Sequence, residues 1–279
     1  MKGRNWRDFE PPEKRRRQPP PKRKHSKHKK RRRRKKGLLH RLVVFVLLFT
    51  VGYCGFYVYY RYGKPYTVAL DAGHGGDDVG AEGIIQEVEL TEQTVSALAD
   101  LLKADGRFRV VRSRRNNETK SITDRSRKFE KVKPDLVLSV HGNAEDSGTA
   151  YGFECYPAVP GMKNHEKSMQ FAEVLANEMG IAGNRLRGEN GIRFGYYVKQ
   201  ADGATQKVLF DASDTQVYEN YDTFGILKNV DCAAVLVEQC FVTNENDVAQ
   251  FGTESGCQKA AEAYYRAIVS YLEIEKDTK

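Results

Sequence analysis

The sequence predicts a three-layer α/β domain, with helices on both faces of one sheet, preceded by a single transmembrane helix. Three observations carry this reading. From about residue 66 onward, short apolar segments alternate with stretches of helical periodicity. Three of the apolar segments end in a chemically versatile side chain: residues 67–70 lead into His74, 135–140 into His141 and 233–237 into Glu238. Upstream, residues 42–60 run 19 positions without a charge.

The 279-residue chain has a net charge of +9, unevenly placed. Residues 1–41 hold 20 Lys/Arg against 3 Asp/Glu, a net of +17, so the remainder carries −8. A mildly acidic remainder gives no nucleic-acid footprint, and no nucleic-acid partner is expected. The arm, residues 1–41, contains Pro19-Pro20-Pro21 and almost no apolar side chains, so it is expected to be disordered. Residues 42–60 would span a hydrocarbon core of roughly 30 Å at about 1.5 Å per residue. Tyr57, Tyr59 and Tyr60 supply an interfacial aromatic belt. The positive-inside rule then places the N-terminus in the cytoplasm, the arm against anionic lipid headgroups and the domain outside. A cleaved signal peptide is the rival reading. Its apolar core would be shorter and followed by a small-residue cleavage site, and no Ala-x-Ala follows here.

After a linker at 61–65, the elements follow in order. A strand at 67–70 runs into a loop with glycines at 73, 75 and 76. Leu90, Val95, Leu98 and Leu102 mark a helix over 89–102 that Gly106 closes. A short strand at 108–111 precedes a helix capped by Ser121, with Ile122, Arg125, Phe129 and Val132 on one face. The His141 strand comes next, then a strand at 151–156 and a helix at 165–180. Residues 181–225 are weakly periodic, with short strands at 194–198 and 207–210; a connection this long suits substrate contacts. The Glu238 strand and a helix at 256–274 complete the domain. Cys155, Cys232, Cys240 and Cys257 have no CxxC spacing, so they do not form a zinc cluster, and their pairing is not legible.

The strand ends carry the chemistry. Open α/β sheets place ligands at the carboxyl ends of their strands, where His74 and His141 fall. Two His and a carboxylate are the donor set of catalytic zinc with one open position. A second carboxylate nearby would serve as proton acceptor. Glu87 and Glu238 are the carboxylates in place; Glu89 and Glu92 compete as acidic ligands but fall on the helix, where a solvated face is the plainer fate. Asp71, Asp77 and Asp78 are candidates to orient the imidazoles or simply to cap turns. Asn143 and Arg125 suit structural or substrate-positioning roles equally, and His165 reads as a surface residue at a helix start.

The ordered set Leu-Asp-Ala-Gly-His74-Gly-Gly-Asp-Asp-Val-Gly-Ala, then Glu87, Leu-Ser-Val-His141-Gly-Asn-Ala and Leu-Val-Glu238, with Phe241 and Asn244 following, resembles the zinc-dependent N-acetylmuramoyl-L-alanine amidases of bacterial cell-wall turnover. The resemblance covers roughly residues 66–275. It implies Zn2+ held by His74, Glu87 and His141, with Glu238 as the catalytic carboxylate. It also implies a mixed sheet of about six strands and a peptidoglycan substrate, cut between N-acetylmuramic acid and L-alanine. Ala72 and Val79 stand where the family usually has Pro, and Cys240 where it usually has Gly. The combined expectation is a single-pass enzyme of the bacterial cell membrane. The alternatives are a zinc peptidase acting on wall stem peptides and a non-catalytic wall-binding or scaffold protein of the same fold.

Overall fold

The computed structural model describes residues 27–63, 65–200, 202–213 and 221–277. Residues 1–26 of the basic arm, expected to be disordered, lie outside the described residues. The chain divides into two compact units after Arg61.

The first unit contains one long helix, α1 (Lys27–Tyr62). It corrects the expectation of disorder as far as residue 41, because the helix continues back to Lys27. Lys and Arg are good helix formers, and extending an existing helix is far easier than nucleating one. Within α1, His40–Tyr57 is long and apolar enough to cross a membrane. Its large apolar side chains, Leu42 and Phe49 among them, are exposed. Within the span the Thr50 hydroxyl, Oγ1, donates to the Val46 carbonyl at 2.8 Å and so needs no water.

The second unit begins with β1 (Tyr66–Ala72), α2 (Glu87–Asp105), β2 (Phe108–Arg112), α3 (Ile122–Val132) and β3 (Leu136–Asn143). It continues through β4 (Glu154–Pro157), α4 (His165–Ile181), β5 (Arg193–Lys199), β6 (Thr205–Asp211) and β7 (Tyr221–Asp222). It ends with α5 (Gly225–Lys228), β8 (Ala233–Phe241), α6 (Glu245–Asp247) and α7 (Glu254–Asp277). The main sheet has the order β2-β1-β3-β8-β4. Its first four strands are parallel and β4 is antiparallel to β8.

Alternation along the strands builds the three layers. Val68, Leu70, Leu138, Val235 and Val237 pack with Leu98 of α2, Leu175 of α4 and Ile268 of α7. The intervening Ala69, Val137, Ala234 and Leu236 pack with Phe129 of α3 and Ile226 and Leu227 of α5. Each strand between layers is buried on both faces, which explains its near-continuous apolar run.

Among the described residues the main sheet has five strands rather than about six. Beyond β4, Leu186 and Ile192 make isolated bridges to Phe153 and Cys155 without forming a strand. Gly188 and Gly191, with φ of 59° and 74°, turn the chain away from extension between them. The weakly periodic segment folds instead into a separate antiparallel sheet, in the order β6-β5-β7. One face of β5, Phe194 and Tyr196, packs on Val159 and Met169, the latter on α4.

Candidate metal centre and active site

The loop after β1 is held by its carbonyls. Arg125, from α3, donates Nη1 to the Ala72 carbonyl at 2.7 Å and Nη2 to the His74 carbonyl. Arg114, fully buried, donates Nε to Ala72 O at 3.0 Å and Nη2 to Gly73 O at 2.9 Å. Thr91 of α2 donates to Gly73 O at 3.0 Å. So anchored, His74 is held in the left-handed region at φ 59°, unusual for a residue with a side chain. Two glycines make the space. A Cβ at Gly73 would overlap the His141 ring, and one at Gly80 would stand 2.6 Å from a Glu87 carboxylate oxygen.

Glu87 is the first residue of α2, where the helix dipole favours an anion. Its buried carboxylate accepts from Ala81 N at 2.9 Å and Gly142 N at 3.1 Å. It also meets both imidazoles: Oε1 is 2.8 Å from His141 Nδ1 and Oε2 is 3.1 Å from His74 Nε2. One donor atom from each of His74, Glu87 and His141 lies within 4.8 Å of the others, so the three could hold a metal ion. On the other side of the ring, His74 Nδ1 lies 2.8 Å from Asp78 Oδ1. A carboxylate there fixes the imidazole's orientation and leaves Nε2 facing Glu87.

Burial opposes charge throughout this trio, and the mutual contacts overcome it. Burial works against protonation of His74, yet Glu87 and Asp78 raise its pKa to about 9. His141 is raised in the same way, chiefly by Glu87 against burial. Burial would push Glu87 up, but hydrogen bonds from both imidazoles hold its carboxyl well below the usual range. Two basic imidazoles and one firmly ionised carboxylate are a donor set that fits a divalent cation such as zinc.

Glu238 lies within the neighbouring strand, β8. Parallel pairing sets it beside His141, and antiparallel pairing sets it opposite Glu154. Its Oε2 is buried and, among the described residues, has no hydrogen-bond partner. Burial pushes its pKa up to about 7; His141 and Lys207 pull downward, while Glu87 and Glu154 push upward. A buried carboxylate left unpaired is costly to the fold, which makes Glu238 a candidate functional group.

Glu154 was not among the residues singled out from the sequence. It is 1% exposed, and its carboxylate receives Arg187 Nε at 2.7 Å, Arg193 Nη1 at 2.9 Å and Tyr156 Oη at 2.8 Å. Asn143 Nδ2 adds a fourth contact at 3.0 Å, so Asn143 serves to brace Glu154. The signal available in advance was a lone carboxylate inside an apolar strand.

Other expectations resolve one by one. Glu89 is exposed, as a solvated helix face requires. Glu92 is not on a solvated face: it pairs with buried Arg114 Nη1 at 2.5 Å and accepts from Asn117 N at 2.8 Å. Asp71 accepts from Ser139 Oγ at 2.7 Å and pairs with Arg125 at 3.3 Å, and Asp77 takes the Thr119 hydroxyl. Arg125 is therefore committed to the loop and its strand. His165 is half-buried, its Nδ1 2.7 Å from the Ala158 carbonyl, rather than a surface residue. Asn244 caps α6. Cys155, Cys232, Cys240 and Cys257 are free thiols, all buried. β8 carries one more residue than β3 across the last register step, a bulge that turns Cys240 into the larger core, away from Glu238.

The sequence profile of the N-acetylmuramoyl-L-alanine amidase family (Amidase_3) matches residues 68–270, and the chain belongs to that family. It is 27% identical over 222 residues to the endolysin of Bacillus phage SPP1, covering 75% of this chain and 67% of that one. It is 29% identical over 208 residues to N-acetylmuramoyl-L-alanine amidase LytC of Bacillus subtilis strain 168, covering 74% and 35% respectively. Against the probable amidase AmiB of Haemophilus influenzae, at 24% identity, it spans 53% of the relative's length. Among solved structures, the crystal structure of N-acetylmuramoyl-L-alanine amidase from Clostridium difficile 630 superimposes with a TM-score of 0.60 at 25% identity. That match covers 75% of this chain and 98% of the other.

Proposed function

We propose that this chain is a membrane-anchored, zinc-dependent N-acetylmuramoyl-L-alanine amidase that hydrolyses the amide between N-acetylmuramic acid and L-alanine in peptidoglycan. The observation that carries the reading is the unpaired, buried carboxylate of Glu238 beside the His74, Glu87 and His141 donors. Those three residues would hold the ion, which when bound polarises the amide carbonyl and acidifies the attacking water. Glu238 takes the proton from that water and passes it to the departing L-alanine nitrogen. With a pKa near 7 the same group serves as base and then as acid at neutral pH. Asp78 keeps His74 oriented through its Nδ1, and Arg114 and Arg125 keep the loop in register with β3.

The anchor rests on α1. Exposed apolar side chains along most of a span of this length are stable in a hydrocarbon core and not in water. With the basic residues on its N-terminal side, the N-terminus stays in the cytoplasm and the catalytic unit faces the wall.

The test is digestion of purified peptidoglycan by the full-length chain in detergent, wild type and Glu238→Ala, with zinc content determined on both. The expected result is zinc in both proteins and release by the wild type alone of peptides with free L-alanine amino ends. Cleavage at another bond would replace the amidase with a peptidase, and a zinc-free wild type would overturn the metal centre. Partitioning of the chain into the membrane fraction, resistant to high salt, tests the anchor; release by salt would show peripheral attachment instead.

A further inference from the structure

The separate β5–β6 hairpin presents its second face to the active site. Cross-strand pairing puts Arg193 opposite Asp211 and Tyr197 opposite Lys207. Side chains two residues apart, and their direct partners, share a face, so Arg193, Tyr197 and Lys207 look the same way. That face lies against the main-sheet residues around Glu238. Arg193 reaches Glu154, the direct neighbour of Glu238. Tyr197 packs edge-on against Phe224, with ring centroids 5.8 Å apart, and Phe224 lies 5.2 Å from Tyr156. Lys207 Nζ stands 5.1 Å from the Phe224 centroid and 5.7 Å from that of Tyr156.

Arg193 and Lys207 differ in what they do with their charge. Arg193 is committed to Glu154 at 2.9 Å and to Asp211 at 3.5 Å. Lys207 is exposed and, among the described residues, has no carboxylate partner; two aromatic rings hold its ammonium in place. Its charge also reaches Glu238, whose proton affinity it pulls down. An ordinary surface lysine is a solvated, mobile cation. This one is held by cation–π contacts within electrostatic range of the proton-transferring carboxylate.

The strand order gives the direction. His141 is on β3, Glu238 on β8 and Tyr156 on β4, so Lys207 stands on the far side of Glu238 from the donor trio. Glu238 delivers its proton to the departing nitrogen, so the peptide side of the scissile amide lies toward β4 and the hairpin. We propose that Lys207 forms an anion subsite that binds a carboxylate of the stem peptide, beyond the scissile amide, and so selects wall peptides whose second residue carries a free α-carboxylate. This rests on the amidase reading of the site.

The experiment uses two probes, N-acetylmuramoyl-L-alanyl-D-glutamate with its γ-carboxyl capped as the methylamide and its α-carboxylate free, and its counterpart with the α-carboxylate amidated as well. Binding is measured by calorimetry on the full-length Glu238→Gln chain in detergent, and turnover on the Glu238-containing chain, each with Lys207, Lys207→Gln and Lys207→Arg. With Lys207, the free carboxylate binds about tenfold more tightly than the amide, the size of one charge-assisted contact. Lys207→Gln removes that preference in binding and raises KM for the acid form relative to the amide form, and Lys207→Arg restores it; the change of field at Glu238 alters kcat equally on both probes. Equal loss of affinity on both probes, or no loss on either, would overturn the subsite. A Lys207-dependent binding preference without any turnover would keep the subsite and remove the amidase reading.

Discussion

Glu154 and Glu238 face each other across the antiparallel β4–β8 pair, and their surroundings shift their pKa values in opposite directions. Burial would raise Glu154, but Arg187, Tyr156 and Arg193 hold its carboxyl below the usual range. Glu238, without such donors, is raised to about 7. Glu154→Gln should therefore act twice. Two arginines lose a buried partner, and the domain should lose about 2–4 kcal/mol in denaturant unfolding. With one neighbouring negative charge gone, Glu238 releases its proton more readily. The acidic limb of kcat/KM against pH should then move to lower pH. An unmoved limb would show that Glu154 shapes the site without tuning it.

Asp78 and Asp77 are adjacent acids with different partners, which makes them a matched pair. Asp78 Oδ1 contacts His74 Nδ1, whereas Asp77 receives the Thr119 hydroxyl. Asp78→Ala frees the His74 ring to turn and should weaken zinc binding about tenfold, the low end for such partners because Asp78 is largely exposed. Asp77→Ala should leave zinc affinity unchanged. Competition titration against a chromogenic chelator measures both. Equal effects from the two substitutions would refer the loss to the loop as a whole.

Gly73 and Gly106 separate steric need from backbone need. A side chain on Gly106 meets nothing within 4 Å but is forced to φ 75°, so Gly106→Ala should cost about 1–2 kcal/mol of stability and leave activity intact. Gly73 is not among the positive-φ glycines, yet its Cβ would overlap the His141 ring. Gly73→Ala should therefore displace a donor and abolish zinc retention while far-UV circular dichroism stays native. Retained zinc in Gly73→Ala would mean that the ring has room to move.

The contrast between local and tertiary signals explains what the sequence discloses. His74, His141 and Glu238 are legible because each comes after an apolar run, and the carboxyl-terminal parts of parallel strands converge. Glu87 is legible because a helical pattern begins at it. The layers follow from the alternation of strand and helix. Glu154, Arg114 and the Glu92 ion pair are not legible, because each is settled by partners 22 to 42 residues away whose approach only the packed fold specifies. The missing sixth strand has the same cause. Residues 193–211 have strand character, but the turns at Gly188 and Gly191 decide which sheet they join. Lys207 could not be distinguished from any other lysine until the hairpin set it over Tyr156 and Phe224.

The donor trio responds to pH in opposite senses with and without metal. In the metal-free chain His74 has its pKa raised from 6.5 to about 9, so its stabilising contribution is fully present below pH 6.5 and is lost as pH rises through about 9. Glu87 is depressed from 4.5, so its contribution is present above pH 4.5 and is lost as pH falls below that. The trio thus stabilises the metal-free fold most between about pH 4.5 and 6.5. Zinc requires deprotonated imidazoles, so its affinity rises over the range in which the metal-free fold weakens. In calorimetric scans, the melting temperature of the chelator-treated chain should fall from pH 6.5 to 9, while the increment on adding zinc grows. Glu87→Gln should flatten the first trend, because neither imidazole then faces an anion there. A zinc increment that stays constant across this range would mean that the ion binds somewhere other than His74 and His141.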